Sequence, residues 1–288
     1  MGHFKQFAFK KFGYADFSPT IGNLFSQPDF SGFVKIAFVK AGVKAVIDFK
    51  EYQLLQDALF FINGGQYYQF DETSTGTILY YNRDFYCVAL HDAEVACDGI
   101  LFNNVYDIPV ILMDEKTSAE MESIFKEIKT EWQEEESSME EMLRILLKRI
   151  IIKSTRIWKK DHRVTTDEAR QEVEFSRTFS QLVALHYSKH HTVAAYADLL
   201  HITPKALNKR ITRYSDTTPN DIIKNRIILE AKRLLVHTSL SVKEIGYKLG
   251  YDDPSYFVRL FTNQADNSPQ SFRMQYQRES GIENQESR

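Results

Sequence analysis

The sequence holds only two cysteines in 288 residues, Cys87 and Cys97, and their spacing fits neither a metal site nor a redox motif. Two thiols in a chain this long point to a reducing compartment rather than a disulfide framework. No apolar run approaches the length of a membrane span. The opening stretch MGHFKQFAFKKFG lacks the apolar core of a signal peptide, and Gln6 stands where a myristoylation signal needs Ser or Thr. The expectation is a cytoplasmic protein with no membrane partner.

Catalytic and metal-binding constellations are equally scarce. His91, Asp92 and Glu94 form the one metal-like cluster in the first half, but neighbouring residues on a strand project to opposite faces and do not converge. His186, His190 and His191 resemble a zinc site only in number; no Cys accompanies them, and a helix C-terminus is an ordinary place for His. No metal, no cofactor and no enzymatic activity are therefore expected.

A strong positive charge is also missing, with 36 Lys+Arg against 39 Asp+Glu and a net charge of −3. Its distribution matters more than its sum. Residues 1–187 hold 21 Lys+Arg against 28 Asp+Glu, whereas residues 188–278 hold 14 against 8. The carboxy-terminal part alone is basic enough to face phosphates.

What the chain does have is a sentence written twice. A shift of fifty places Pro204 on Pro254, Leu207 on Phe257, Lys209 on Arg259, Ile211 on Phe261, Asp216 on Asp266 and Pro219 on Pro269. Upstream the match runs one residue out of step, with Thr192 on Ser241 and Leu200 on Leu249. Two copies are too few for a solenoid. Each copy reads as a short helix, a turn, and a second helix with a capping residue followed by proline: Thr203-Pro204 in one, Asp253-Pro254 in the other. Helical spacing puts Leu207, Ile211 and Tyr214 on a packing face and Lys205, Asn208, Lys209 and Thr212 on the opposite one. In the second copy Phe257, Leu260 and Phe261 pack, leaving Ser255, Tyr256, Arg259 and Asn263 free. Amide, hydroxyl and cationic groups at a helix start pair with base edges in a major groove. The alternative is an ordinary amphipathic helix with a solvated polar side.

The segment resembles the DNA-binding domain of AraC/XylS transcriptional regulators, in which two helix-turn-helix units are joined by a linker helix. Ile222–Leu235 has the linker pattern, and GYKLGYDDPSYFVRLF followed by SPQSFR is similar to the family signature. The resemblance implies double-stranded DNA as partner, with base contacts at Lys205, Asn208 and Lys209 and at Ser255, Tyr256 and Arg259; Thr212, Arg213 and Asn263 complete the expected DNA-binding set. Two positions depart from the family. Asp216 and Asp266 stand where Gly usually precedes the Thr/Ser-Pro pair, both expected in a left-handed conformation. Lys209 replaces the usual Arg, which removes the planar fork and predicts weaker base discrimination by the first helix.

Ahead of this segment the texture is β from Gly32 to Pro109, in short runs separated by Gly, Asn and Asp. Residues 1 to about 30 give no clean period and read as an arm with one strand or helix. Asp57 to Gln66 resembles the cupin-type sensor domain that precedes the DNA-binding part in many AraC/XylS proteins, with Tyr67 and Tyr68 where related cupin enzymes often place a metal-binding His. The dense aromatics, Phe61, Tyr68 and Tyr81 among them, suit a pocket for a sugar or other metabolite as effector; the alternative is that they are core. After Pro109 the period lengthens. Met121, Ile124, Phe125, Ile128 and Trp132 form one stripe, and Met142, Leu143, Leu146, Leu147, Ile150 and Ile151 another, begun by a Ser138/Glu141 capping box.

The expected fold is α+β with two domains: a cupin-like β-barrel with a helical hairpin, then an all-α tandem helix-turn-helix. Boundaries are placed at 1–158 for the sensor and dimerisation domain (β part about 30–110, hairpin about 115–158), 159–172 for a linker, 173–278 for the DNA-binding domain and 279–288 for a flexible tail. The resemblance implies a homodimer through the hairpin and RNA polymerase as a further partner, in a ligand-responsive activator. Two other classes are a metal-dependent cupin enzyme with an appended helical domain and a non-specific architectural DNA-binding protein. Stoichiometric metal would favour the first, and equal affinity for random and selected DNA the second.

Overall fold

The structure is a computed structural model that describes residues 4–17, 32–86, 101–102, 110–134, 136–161, 167–213 and 217–279. The chain divides into two compact units, Met1–Arg170 and Gln171–Arg288. The first is a β-region with two helices and the second is helical, so the fold is α+β in two domains. Cys87, Cys97, His91, Asp92, Glu94, Tyr214 and Asp216 lie outside the described residues.

In the first unit the strands are β1 (Lys5–Phe7), β2 (Lys10–Asp16), β3 (Val34–Val39), β4 (Lys44–Ile47), β5 (Lys50–Gln53), β6 (Asp57–Ile62), β7 (Tyr68–Phe70), β8 (Gly76–Tyr81) and β9 (Val110–Met113). They form an antiparallel six-stranded sheet in the order β1-β2-β8-β3-β6-β9 and a three-stranded sheet in the order β5-β4-β7. Strand β3 is buried along its whole length because β6 and β8 flank it and both its faces are covered. Ala37, Val39, Phe60, Ile62 and Tyr80 on one side of the large sheet meet Ala45, Ile47 and Leu54 of the small one in a shared core. Among the described residues no ladder joins the two sheets, so the expected barrel is an open pair of sheets.

Lys35 lies on the same side of β3 as Ala37 and is only 2% exposed. Its Nζ donates to the Phe33 carbonyl at 3.0 Å and stands 5.2 Å from the Tyr68 ring centre. Burial pushes its pKa down to about 8.

Two expectations are corrected here. The opening segment is no loose arm: β1 and β2 form a hairpin, and β2 pairs with β8 from Phe12 opposite Tyr81 to Asp16 opposite Thr77. Burial along β2 does not alternate, since Phe12 and Gly13 are both buried, and its anchor is aromatic, with the Phe12 and Phe85 ring centres 4.9 Å apart. One of the short β runs expected between Gly32 and Pro109, Ala45 to Phe49, ends earlier, because Asp48 and Phe49 are the two-residue turn between β4 and β5, with φ of 47° and 67°. Such a turn needs positive φ at both positions, an uncommon conformation for Phe. Stacking of Phe49 on Tyr67, 4.6 Å between centres and 10° between planes, offsets part of that cost.

Helices α1 (Glu115–Gln133) and α2 (Met139–Asp161) form the hairpin. Met121, Ile124, Phe125 and Ile128 of α1 and Leu143, Leu146, Leu147, Ile150 and Ile151 of α2 are buried. Met142 is 42% exposed and so lies outside the stripe to which it was assigned. Cross-hairpin pairs Arg149–Glu127 at 3.1 Å and Lys153–Glu120 at 2.6 Å are partly exposed and contribute little beyond alignment. Glu141 pairs with Arg144, one turn inside the helix that starts after Ser138.

The expected linker at 159–172 is helical at both ends, since α2 runs to Asp161 and α3 (Asp167–His186) begins at Asp167. Polar residues without an apolar stripe still propagate a helix, as Glu, Ala, Arg and Gln do here. Beyond α3 follow α4 (Val193–Leu199), α5 (Pro204–Ile211), α6 (Pro219–His237), α7 (Val242–Lys248), α8 (Pro254–Ala265) and α9 (Pro269–Glu279). Helix α6 buries Ile222, Ile223, Ile227, Ile228, Ala231, Leu234 and Leu235, an apolar surface too broad for a single face. Helices α4, α5, α7, α8 and α9 all pack against it.

Candidate nucleic-acid interface

The second unit contains two helix pairs, α4 with α5 and α7 with α8, on opposite sequence sides of α6. Local chemistry starts each second helix where it does. The Thr203 hydroxyl accepts from the Ala206 amide at 3.1 Å, and Asp253 accepts from the Ser255 amide at 2.8 Å. Each cap leads into a proline, which has no amide to leave unsatisfied. Leu207 and Ile211 anchor α5, and Phe257 and Phe261 anchor α8, all at most 3% exposed.

With the apolar sides fixed inward, the polar sides are fixed outward. Lys205, Lys209, Thr212 and Arg213 are exposed and Asn208 is half-buried. On α8 Ser255, Tyr256, Arg259 and Asn263 are exposed. The Asn208 amide donates to the Pro204 carbonyl at 3.0 Å and the Thr212 hydroxyl to the Asn208 carbonyl at 2.8 Å, so each spends one donor within its own helix. The second Asn208 amide hydrogen, its amide oxygen and the Thr212 oxygen keep the capacity to pair with a base. The Arg259 guanidinium stands 6.0 Å from the Tyr256 ring centre, at the limit of a cation–π contact.

Not every cation of α5 is available. Arg210 stacks on Phe175 with 3.5 Å to the ring centre and pairs with Glu172 at 3.0 Å, tying α5 to α3. Arg226 of α6 likewise sits 4.2 Å from the Tyr187 ring centre and pairs with Glu230 at 2.8 Å. These arginines hold helices together.

The turns ahead of the second helices share an uncommon backbone, with φ of 54° at His201 and 87° at Gly250. Asp266, which ends α8, adopts the expected left-handed conformation with φ of 51°. Missed in the sequence was the surrounding of Gly250. His191 Nε2 lies 3.0 Å from the Leu249 carbonyl, and the His191 and Tyr251 ring centres are 4.5 Å apart. A side chain at Gly250 would come within 2.0 Å of the Ser188 carbonyl oxygen. The repeat offered one signal, glycine in one copy where histidine stands in the other. Burial, and then the neighbouring Tyr256, push the Tyr251 phenol up to about 12.

The three aromatics expected to line an effector pocket are not brought together. Phe61 and Tyr81 share the side of the large sheet that carries Ile36, whereas Tyr68 packs against the core between the sheets. Strand alternation separates them. A cleft of about 260 Å³ lies elsewhere in this unit, lined by Phe38, Lys40, Glu122, Phe125 and Lys129 among others. Among the described residues no group of three His, Cys, Asp or Glu is placed to hold a metal, and no helix is long and apolar enough to cross a membrane.

Paired short helices with capped second members, set on one central helix, are the architecture of helix-turn-helix domains. Comparison with known proteins places one segment of the chain. Residues 196–275 match the helix-turn-helix domain family, and this segment is a helix-turn-helix domain of the AraC/XylS type. Over 88 residues the chain is 26% identical to the HTH-type transcriptional activator RhaS of Enterobacter sp. (strain 638), covering 31% of this chain and 32% of that protein. It is 27% identical over 110 residues to the lactose operon transcription activator of Staphylococcus xylosus, covering 38% and 37%. The matched segment thus spans about a third of the length of these curated relatives. The solved structure of ToxT from Vibrio cholerae aligns over 84% of this chain and 89% of its own, at 15% identity and a TM-score of 0.45.

Proposed function

We propose that the chain is a sequence-specific DNA-binding transcription regulator, acting as a ligand-responsive activator that reads two major grooves with α5 and α8. The observation that carries this reading is the pair of proline-started helices, each with a buried apolar side and an exposed set of cationic and hydrogen-bonding side chains, inside the segment that matches the helix-turn-helix family. The tandem arrangement would engage successive grooves about one helical turn apart. Lys and Arg contacts to phosphate supply affinity that falls with salt, and base-edge contacts supply specificity.

The first unit supplies sensing and assembly. Its two sheets form a cupin-like sensor for a small-molecule effector, and its hairpin pairs two chains into a homodimer. Met142 and Ile145, 42% and 49% exposed on α2, support a seam there. An effector changes DNA occupancy only through different affinity for two arrangements of the dimer. RNA polymerase is the partner through which bound protein would raise transcription.

The experiment is selection of bound duplexes from fragmented genomic DNA by the full chain, followed by binding of the enriched site and of scrambled duplexes. Strong enrichment of a common sequence is expected. Equal affinity for enriched and scrambled DNA would make the protein a non-specific binder and end this reading.

A further inference from the structure

The loop between α3 and α4 is joined to the second helix pair, although 58 residues separate the two in sequence. Three observations meet there. His191, immediately ahead of the Thr192 cap of α4, places Nε2 3.0 Å from the Leu249 carbonyl; a carbonyl only accepts, so Nε2 carries the hydrogen. The same ring lies against Tyr251, whose own ring is 5.9 Å from that of Phe257, the buried anchor of α8. Gly250, between these two contacts, leaves the space that the Ser188 carbonyl occupies. From His191 to Phe257 there is thus a continuous packed path from the start of the first pair to the anchor of the second.

Helix α6 alone provides one shared line of attachment for both pairs. A contact from loop to turn is a second, independent constraint. We propose that His191 is a positioning residue that fixes the separation of α5 and α8 and thereby restricts the protein to DNA sites with one spacing between the two contacted grooves. The first half of this statement concerns the protein alone; the second rests on the proposed function. Fixed separation favours a matched site because the second helix then binds at high effective concentration, and a mismatched site because it cannot be reached is disfavoured. Loosening it lowers affinity for the matched site and softens the penalty for a mismatched one.

The test uses the full chain as wild type, His191→Ala and His191→Gln. Gln keeps an N–H near the position of Nε2 but removes the ring. Spin labels at Asp198 on α4 and Gln264 on α8, both exposed, with Cys87 and Cys97 replaced by Ser, report the distance distribution between the pairs without DNA. A narrow distribution is expected for wild type, a broad one for His191→Ala, and an intermediate one for His191→Gln. In parallel, the selected duplex is compared with versions carrying one or two base pairs inserted between the half-sites. His191→Ala should lose roughly tenfold affinity for the matched duplex while the inserted versions change less. An unchanged distance distribution in a folded His191→Ala overturns the proposal and leaves the DNA reading intact. A broadened distribution with an unchanged spacing preference overturns the link to specificity. A wild-type chain that enriches no sequence overturns the DNA reading, and the distance measurement then decides the positioning role by itself.

Discussion

At the residue that turns each first helix toward its second, the two pairs share a backbone and differ in side chain. His201 and Gly250 both have positive φ, but His201 is exposed whereas Gly250 is pressed against Ser188. Left-handed backbone by itself tolerates a side chain at a cost of about 1–2 kcal/mol; close approach of another carbonyl does not tolerate one. The second pair is therefore docked and the first is free at its turn. Helices α5 and α8 also differ in their cations, lysines on α5 against Arg259 on α8, while Thr212 and Thr262 alike bond the carbonyl four residues back at 2.8 Å.

The largest break of that contrast is Gly250→Ala. It forces a methyl into the Ser188 carbonyl at a strained φ, and should destabilise the second unit by about 3 kcal/mol or more, read from the urea midpoint. His201→Ala should change stability by less than about 0.5 kcal/mol, as an exposed site normally does. Equal effects at the two turns would show that the turn of the second pair is not docked.

Next in size is the difference between the proposed DNA contacts of α5 and α8. Arg259→Ala should weaken binding to the selected site by about 1–3 kcal/mol, with the loss confined to sequences that keep one base pair, because a guanidinium fork binds guanine through two bonds. Lys209→Ala should cost less and act more evenly across sequences, since an ammonium makes no planar pair. Competition with single-base variants of the selected duplex separates the two. Uniform loss for Arg259→Ala would move that residue from base reading to phosphate contact.

How much of this was visible beforehand follows from the range of each interaction. Thr203-Pro204 and Asp253-Pro254 placed two helix starts correctly because capping is settled within three residues. The stripes of α1 and α2 were legible for the same reason, a period of one turn, though Met142 shows that a stripe's edge depends on what lies across from it. Pairings were not legible. Nothing near Phe12 announces Tyr81, and nothing near His191 announces Leu249; such contacts are fixed by the fold of the whole unit. The turn at Asp48-Phe49 escaped notice because its residues contradict the Asn-Gly preference of such turns, an exception held by stacking from outside the hairpin.

Smaller effects test the caps. Thr203→Ala and Asp253→Ala should each cost about 1 kcal/mol, a matched pair of losses that would confirm equivalent starts for α5 and α8. Thermal unfolding of both variants against wild type measures them. A loss at only one would show that the two starts are held differently.

The smallest expected effect separates the first helices of the pairs by acid. Helix α7 begins with a reciprocal box: Ser241 donates to the Glu244 carboxylate from its amide at 2.8 Å and from its hydroxyl at 2.7 Å, while the Glu244 amide donates to Ser241 Oγ at 3.2 Å. Helix α4 has only the Thr192 hydroxyl accepting from Ala195, at 3.3 Å. The Ser241 hydroxyl and then its amide hold the Glu244 carboxyl below its ordinary value of 4.5. A carboxyl depressed in the folded state stabilises above its unfolded pKa, and that stabilisation disappears as the pH falls through the lower, folded value. Amide exchange between about pH 6 and pH 3 should therefore show the start of α7 losing protection while that of α4 keeps its own, after correction for the intrinsic rate. Glu244→Gln, which accepts the same bonds without titrating, should remove the acid response of α7. Parallel loss at Ala195 and Glu244 would place the cause in the whole unit and not in the box.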